Sequence, residues 1–149
     1  MLCLVPTPIG NLEDISKRSL RILEEAELIF CEDTRVTKKL LNLLGEKNNL
    51  DFSNKEFKSF HSHNENHILQ TLDKDTFSKN VVYVSDAGMP CVSDPGATLV
   101  DYCIKNQIPY DVLPGANAIL TAYAMSGFSH TTFSFYGFLD HKGVSRASK

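Results

Sequence analysis

Five times along this chain a short apolar run ends in a tight turn of small residues and gives way to an amphipathic stretch. The runs are residues 2–5, 28–31, 57–60, 81–84 and 109–113. Val81 to Val84 is the clearest: four consecutive β-formers with no polar face, which suits a strand covered on both sides. Strand–helix alternation of this kind predicts an α/β fold: a doubly wound, mostly parallel sheet of about five strands flanked by helices in three layers.

The helices are read from their caps and apolar faces. Asn11, with Asp14 three residues on, caps a helix whose inner face carries Ile15, Ile22, Leu23 and Ala26. The next helix runs through Leu40, Leu41 and Leu44, with Gly45 as its stop signal. Ser62 and Glu65 match a capping box for a helix bearing Ile68, Leu69 and Leu72. Asp94 caps a helix that opens on Pro95 and carries Leu99, Val100 and Cys103. Pro114-Gly115 turns into a last helix ending near Gly127. Beyond it the alternation breaks: residues 131–138 read as a strand with exposed aromatics, and 140–149 are polar. This organisation gives a first domain over 1–128 and the opening of a truncated second domain over 129–149.

Composition narrows the function classes only a little. Hydrophobic residues make up 42% of the chain, enough for a packed core, and the net charge of −3 argues against gripping nucleic acid by bulk electrostatics alone. No apolar stretch reaches the roughly 18–20 residues that span a bilayer, and the start shows no signal-peptide pattern. A cytoplasmic protein without a membrane role is the expectation. Cys3, Cys31, Cys91 and Cys103 are scattered without a CxxC pair and read as reduced core residues. His61, His63 and His67 lack a cysteine or acid partner at a common zinc spacing, so no metal is expected.

In an open α/β sheet, ligands sit beyond the carboxyl ends of the strands. Three loops there are short, small and proline-bearing: PTPIGN after the first strand, SDAGMP after the fourth and PGANA after the fifth. Gly88 permits positive φ or close backbone approach, Asp86 offers acceptors to an amine or ribose hydroxyl, and Pro90 limits the loop's freedom. The second Ser-Asp pair, Ser93-Asp94, serves mainly to open a helix. Turn chemistry alone would also favour such residues. Neither GxGxxG nor GxxxxGK[ST] occurs, so dinucleotide and P-loop readings are weak.

Taken in order, VPTPIGNLEDIS (5–16), CEDTRVTKKLL (31–41), HSHNE (61–65), VSDAGMPCVSDPG (84–96), LPGANA (113–118) and SGF with FSFYGFL (126–139) resemble one family. It is the small-subunit ribosomal RNA ribose 2′-O-methyltransferases, a branch of the tetrapyrrole methylase superfamily. The family reads GFLP where this chain has Gly137-Phe138-Leu139-Asp140. The resemblance implies S-adenosylmethionine as cofactor, a cytidine ribose of small-subunit ribosomal RNA as substrate, and a homodimer. It also implies that Pro8, Ile9, Gly10, Ser85, Asp86, Ala87, Gly88, Val92, Ser93, Pro114 and Gly115 line the cofactor cleft.

A ribose hydroxyl is a poor nucleophile, so a nearby base is expected, with Glu65 and Asp86 as candidates. Arg35 offers a bidentate phosphate clamp, Thr34 a donor and Lys38 a charge one turn on; the plainer alternative is a capped helix start with Glu32 and Arg35 paired locally. A small-molecule methylase of tetrapyrrole type, or a cofactor-site fragment without catalysis of its own, are the alternative functions.

Overall fold

The computed structural model describes residues 1–138, and the chain divides into two compact units, Met1–Asn117 and a second beginning at Ala118. In the first unit, β1 (Leu2–Leu4), β2 (Leu28–Cys31), β3 (Glu56–Ser59), β4 (Val81–Val84) and β5 (Tyr110–Val112) form one sheet in the order β3-β2-β4-β1-β5. Every pairing is parallel. The helices between strands are α1 (Lys17–Glu25), α2 (Thr34–Asn48), α3 (Glu65–Thr71) and α4 (Gly96–Lys105).

Two apolar layers sandwich the sheet, and the strand side chains divide between them with period two. Cys3, Val5, Ile29, Cys31, Val82 and Val84 pack with Leu23 of α1, Ala26 at its end, and Leu41 and Leu44 of α2. Leu2, Leu4, Leu28, Phe30, Val81 and Tyr83 pack on the other face with Ile68 and Leu69 of α3 and Leu99 and Cys103 of α4. Burial on both faces is why β1, β2 and β4 read as unbroken apolar runs.

The placement of α1 and α4 on opposite faces has a topological cause. From β1 the chain winds toward the β3 edge, whereas from β4 it winds toward β5. Strands β1 and β4 are neighbours, so their loops leave the sheet toward opposite faces and open a crevice between them.

Four element boundaries differ from the sequence reading. Asn11 caps only a 3₁₀ turn over Leu12–Asp14, and Ser16, accepting from the Ser19 amide, caps α1 itself. Gly45 does not end α2: the helix continues to Asn48 and closes at Asn49, which takes left-handed φ 56. Gly45 is needed instead because the returning chain brings the Leu50 carbonyl to 2.7 Å from where a β-carbon would stand. The Ser62–Glu65 capping box does not form; Asn64 holds the N-cap position, and its side chain accepts from the His61 amide and donates to the Ser59 carbonyl. Asp94 caps from one residue further out, accepting from the Gly96 amide at 2.8 Å, with Pro95 at the N-cap position.

The second unit holds α5 (Ala118–Met125), on which Leu120 and Met125 are exposed, and a segment in which Tyr123 stacks on Phe133 at 4.8 Å. Residues 131–138 form no strand. An extended segment becomes a strand only when a neighbour takes its backbone groups, and among the described residues none does. The polar stretch 140–149 lies outside the described residues.

Candidate functional site

Because β4, β1 and β5 are adjacent and parallel, the loops that follow them meet at one rim of the sheet. The contacts are close. Thr7 and Gly88 form an isolated antiparallel bridge, Thr7 N to Gly88 O at 3.0 Å and Gly88 N to Thr7 O at 3.1 Å. Gly88 has φ +87, and a β-carbon there would stand 3.1 Å from Ile9 Cγ2 and 3.6 Å from the Ala116 carbonyl. A β-carbon on Gly115 would meet the Pro6 ring. The three loops are therefore fitted to one another through glycines, and the rim is built before any ligand arrives.

The sequence-predicted residues fall on this rim as follows. Pro8 is half-buried, Ile9 is 38% exposed, and Gly10 is exposed at the tip of the β1 loop. Ser85 and Gly88 are buried at the base of the β4 loop, whereas Asp86 and Ala87 are exposed at its tip. Further along that loop Val92 is half-buried, and Ser93 is exposed with left-handed φ 76. Pro114 and Gly115 are exposed after β5. Thr7, which ties two of the loops together, was not singled out by sequence; a hydroxyl between two prolines gives no pattern to read.

The β2 loop abuts the β4 loop. Burial, more than the neighbouring Asp86 and Asp94 charges, raises the Glu32 carboxyl above its ordinary range. Arg35 pairs with Asp33 rather than with Glu32: Nε reaches Oδ1 at 3.1 Å and Nη2 reaches Oδ2 at 2.6 Å. That two-pronged bond, with the Arg35 amide on the same carboxylate, holds the Asp33 carboxyl down at about 2. Thr34 is half-buried at the first position of α2. Lys38 lies over the Phe57 ring at 5.0 Å and lines a groove of about 260 Å³ with Asn42 and Lys55, on the flank of α2 and β3. Glu65, at the start of α3, accepts from the Thr98 hydroxyl of α4 at 2.8 Å.

Beneath the β4 loop, the buried Tyr83 hydroxyl donates to Asp94 Oδ1 at 2.9 Å, while Asp94 Oδ2 is buried without a hydrogen-bond partner. Burial raises both the Tyr83 phenol and the Cys91 thiol, the latter to about 11, so neither carries charge at neutral pH. Among the described residues no group of three His, Cys, Asp or Glu side chains is arranged to hold a metal ion, and no helix is long and apolar enough to cross a membrane.

Residues 1–146 match the family model described as Tetrapyrrole (Corrin/Porphyrin) Methylases. The chain belongs to this family. Within it, the chain is 53% identical over 148 residues to a protein of Campylobacter fetus subsp. fetus named Ribosomal RNA small subunit methyltransferase I, covering 99% of this chain and 55% of that protein. A Thermotoga maritima protein of the same name is 45% identical over 139 residues, covering 93% of this chain and 60% of that one. The chain thus spans little more than half the length of the curated relatives it matches. Among solved structures, diphthine synthase aligns at a TM-score of 0.62 and 17% identity, covering 85% of this chain and 48% of that one. Uroporphyrin-III C-methyl transferase from Thermus thermophilus, complexed with S-adenyl homocysteine, aligns at 0.56 and 20%, covering 82% and 51%. These likenesses agree with the five-stranded parallel architecture.

Proposed function

We propose that this chain is the cofactor-binding half of an S-adenosylmethionine-dependent methyltransferase that modifies a cytidine ribose 2′-hydroxyl in small-subunit ribosomal RNA. The observation that carries the reading is the interlocked rim of β4, β1 and β5 at the reversal of winding. The names of the relatives at 43–53% identity support the RNA substrate.

The residues present fit the cofactor. Gly88 and Gly115 stand where side chains would collide with neighbouring loops, so ligand contacts there fall to backbone. Ile9 offers an exposed apolar face, and Asp86 an exposed carboxylate suited to an ammonium or ribose hydroxyls. When bound, the cofactor supplies a methyl group on a sulfonium. The preformed loops would hold the donor beside the hydroxyl, and such alignment supplies a large part of the rate advantage of a displacement. Asp86 would take the hydroxyl proton as the new oxygen–carbon bond forms and the sulfur–carbon bond breaks. Glu65 is the other candidate base; its Oε2 takes the Thr98 hydroxyl as Asp86 Oδ1 takes the Asp33 amide, and each keeps a second oxygen. Arg35, Thr34 and Lys38 face the phosphates of the RNA, Arg35 with the guanidinium N–H groups that its bond to Asp33 leaves over and with 89% of its side chain exposed.

A second domain opens at about residue 129, in a cytoplasmic homodimer, and the remainder of the cleft belongs to the further length found in the relatives. Support for that boundary is the greater length of the relatives and the exposed Phe128, Phe135, Tyr136 and Phe138.

The test continues the chain with the remaining portion found in its relatives and incubates it with methyl-labelled S-adenosylmethionine and small ribosomal subunits. Nucleoside mass spectrometry is expected to give 2′-O-methylcytidine. A base-methylated nucleoside, or label only in a small tetrapyrrole, overturns the reading.

A further inference from the structure

We propose that Thr7 is a positioning residue of this site: its hydroxyl sets the rotation of the Ser85–Gly88 turn and so aims Asp86 and Ala87 at the ligand. The inference rests on the cofactor reading above and deepens it. The ladder between β1 and β4 ends at Leu4 and Tyr83, and the last bond in this direction runs from Val5 N to Tyr83 O at 3.0 Å. Two residues later the chains pair again, now antiparallel, at Thr7 and Gly88. Thr7 therefore spans the crevice at the place where the two loops part toward opposite faces of the sheet.

Two backbone bonds alone would fasten the loops at a single point and leave the turn free to swivel about it. The side chain removes that freedom. Thr7 Oγ1 shares the Gly88 amide with the Thr7 carbonyl, each at 3.1 Å, and donates to Ser85 O at 3.2 Å, and Ser85 Oγ closes the ring by donating to Gly88 O at 3.2 Å. Both ends of the four-residue turn are thus tied to one side chain, while Asp86 and Ala87 between them stay exposed. Thr7 is 1% exposed, and its hydroxyl already gives its proton and accepts one. It is not available to touch the ligand, so it acts through the turn.

Thr7→Val keeps the shape and removes the hydroxyl, leaving the Ser85 carbonyl without that donor; Thr7→Ser keeps the hydroxyl. Calorimetric titration with S-adenosylmethionine of the chain continued with the remaining portion found in its relatives is expected to show affinity lower by about tenfold in Thr7→Val and within about threefold of the parent in Thr7→Ser. Hydrogen exchange at the Gly88 amide, left with the Thr7 carbonyl as its one acceptor, is expected to speed up in Thr7→Val alone. Thr37→Val, at a buried threonine of α2 outside the three loops, should leave affinity unchanged. A Thr7→Val chain that loses thermal stability but binds as the parent does overturns the proposal. So does a Gly88 amide that remains protected. If the parent itself fails to bind, the cofactor reading falls, and Gly88 exchange still decides whether Thr7 positions the turn.

Discussion

A β-carbon placed on Gly115 would lie 2.6 Å from the β-carbon of Pro6. The loops after β5 and β1 therefore meet backbone against ring, with no space for a methyl group. Gly115→Ala is expected to force them apart, with a stability cost of about 1–3 kcal/mol typical of overpacking. Thermal denaturation measures that cost. A fall in S-adenosylmethionine affinity should accompany it, since the same displacement opens the rim.

Gly45 gives a control at a distance from the rim. In an exposed helix, exchanging glycine for alanine gains up to about 1 kcal/mol. Here the new methyl would stand 2.7 Å from the Leu50 carbonyl, a backbone atom that cannot swing away. Gly45→Ala is therefore expected to destabilise by about 1–3 kcal/mol and to leave cofactor affinity unchanged. Chemical denaturation with a parallel binding titration checks both.

Tyr83 anchors the far end of the β4 loop through its bond to Asp94. Tyr83→Phe retains the ring packing against Phe60 but removes the donor, leaving Asp94 with the Gly96 amide. A loss of about 1–2 kcal/mol is expected, because the partner left behind is a carboxylate. The denaturation midpoint in urea reads it.

Glu32 makes a pH-dependent prediction. Its carboxyl is raised from an ordinary value of 4.5, chiefly by burial. The native state then holds a proton that the unfolded state has released. Stability falls as pH rises from about 4.5 through the higher native value, and the penalty persists above it. Glu32→Gln removes that penalty while keeping an oxygen acceptor for the Asp86 amide, which Glu32 Oε1 holds at 3.1 Å. Melting temperatures are expected to rise in the variant at pH 7 and to match the parent near pH 4.

The sheet was legible because β1, β2 and β4 are buried on both faces, which leaves unbroken apolar runs too short for helices and, after β1 and β4, followed by turn residues. The rim was legible because tight strand-to-helix turns demand glycine and proline at set places, as at Gly88 and Gly115. What sequence could not convey was tertiary contact. Gly45 reads as a stop signal until Leu50 is seen returning over it. Glu65 reads as a capping partner for Ser62 until the Thr98 hydroxyl of α4 is found against it. Thr7 carries no signal of its own, since its role exists only once Gly88 and Ser85 lie beside it.

The central claim is that the loops after β1, β4 and β5 together receive the cofactor. Amide chemical shifts of this chain's residues, within the chain continued with the remaining portion found in its relatives and followed as S-adenosylmethionine is added, test it most directly. The account predicts saturable shifts confined to Ile9, Gly10, Ser85 to Gly88, Gly115 and their immediate neighbours. Shifts centred on the α2–β3 groove around Lys38 and Lys55, or none at saturating cofactor, would contradict it.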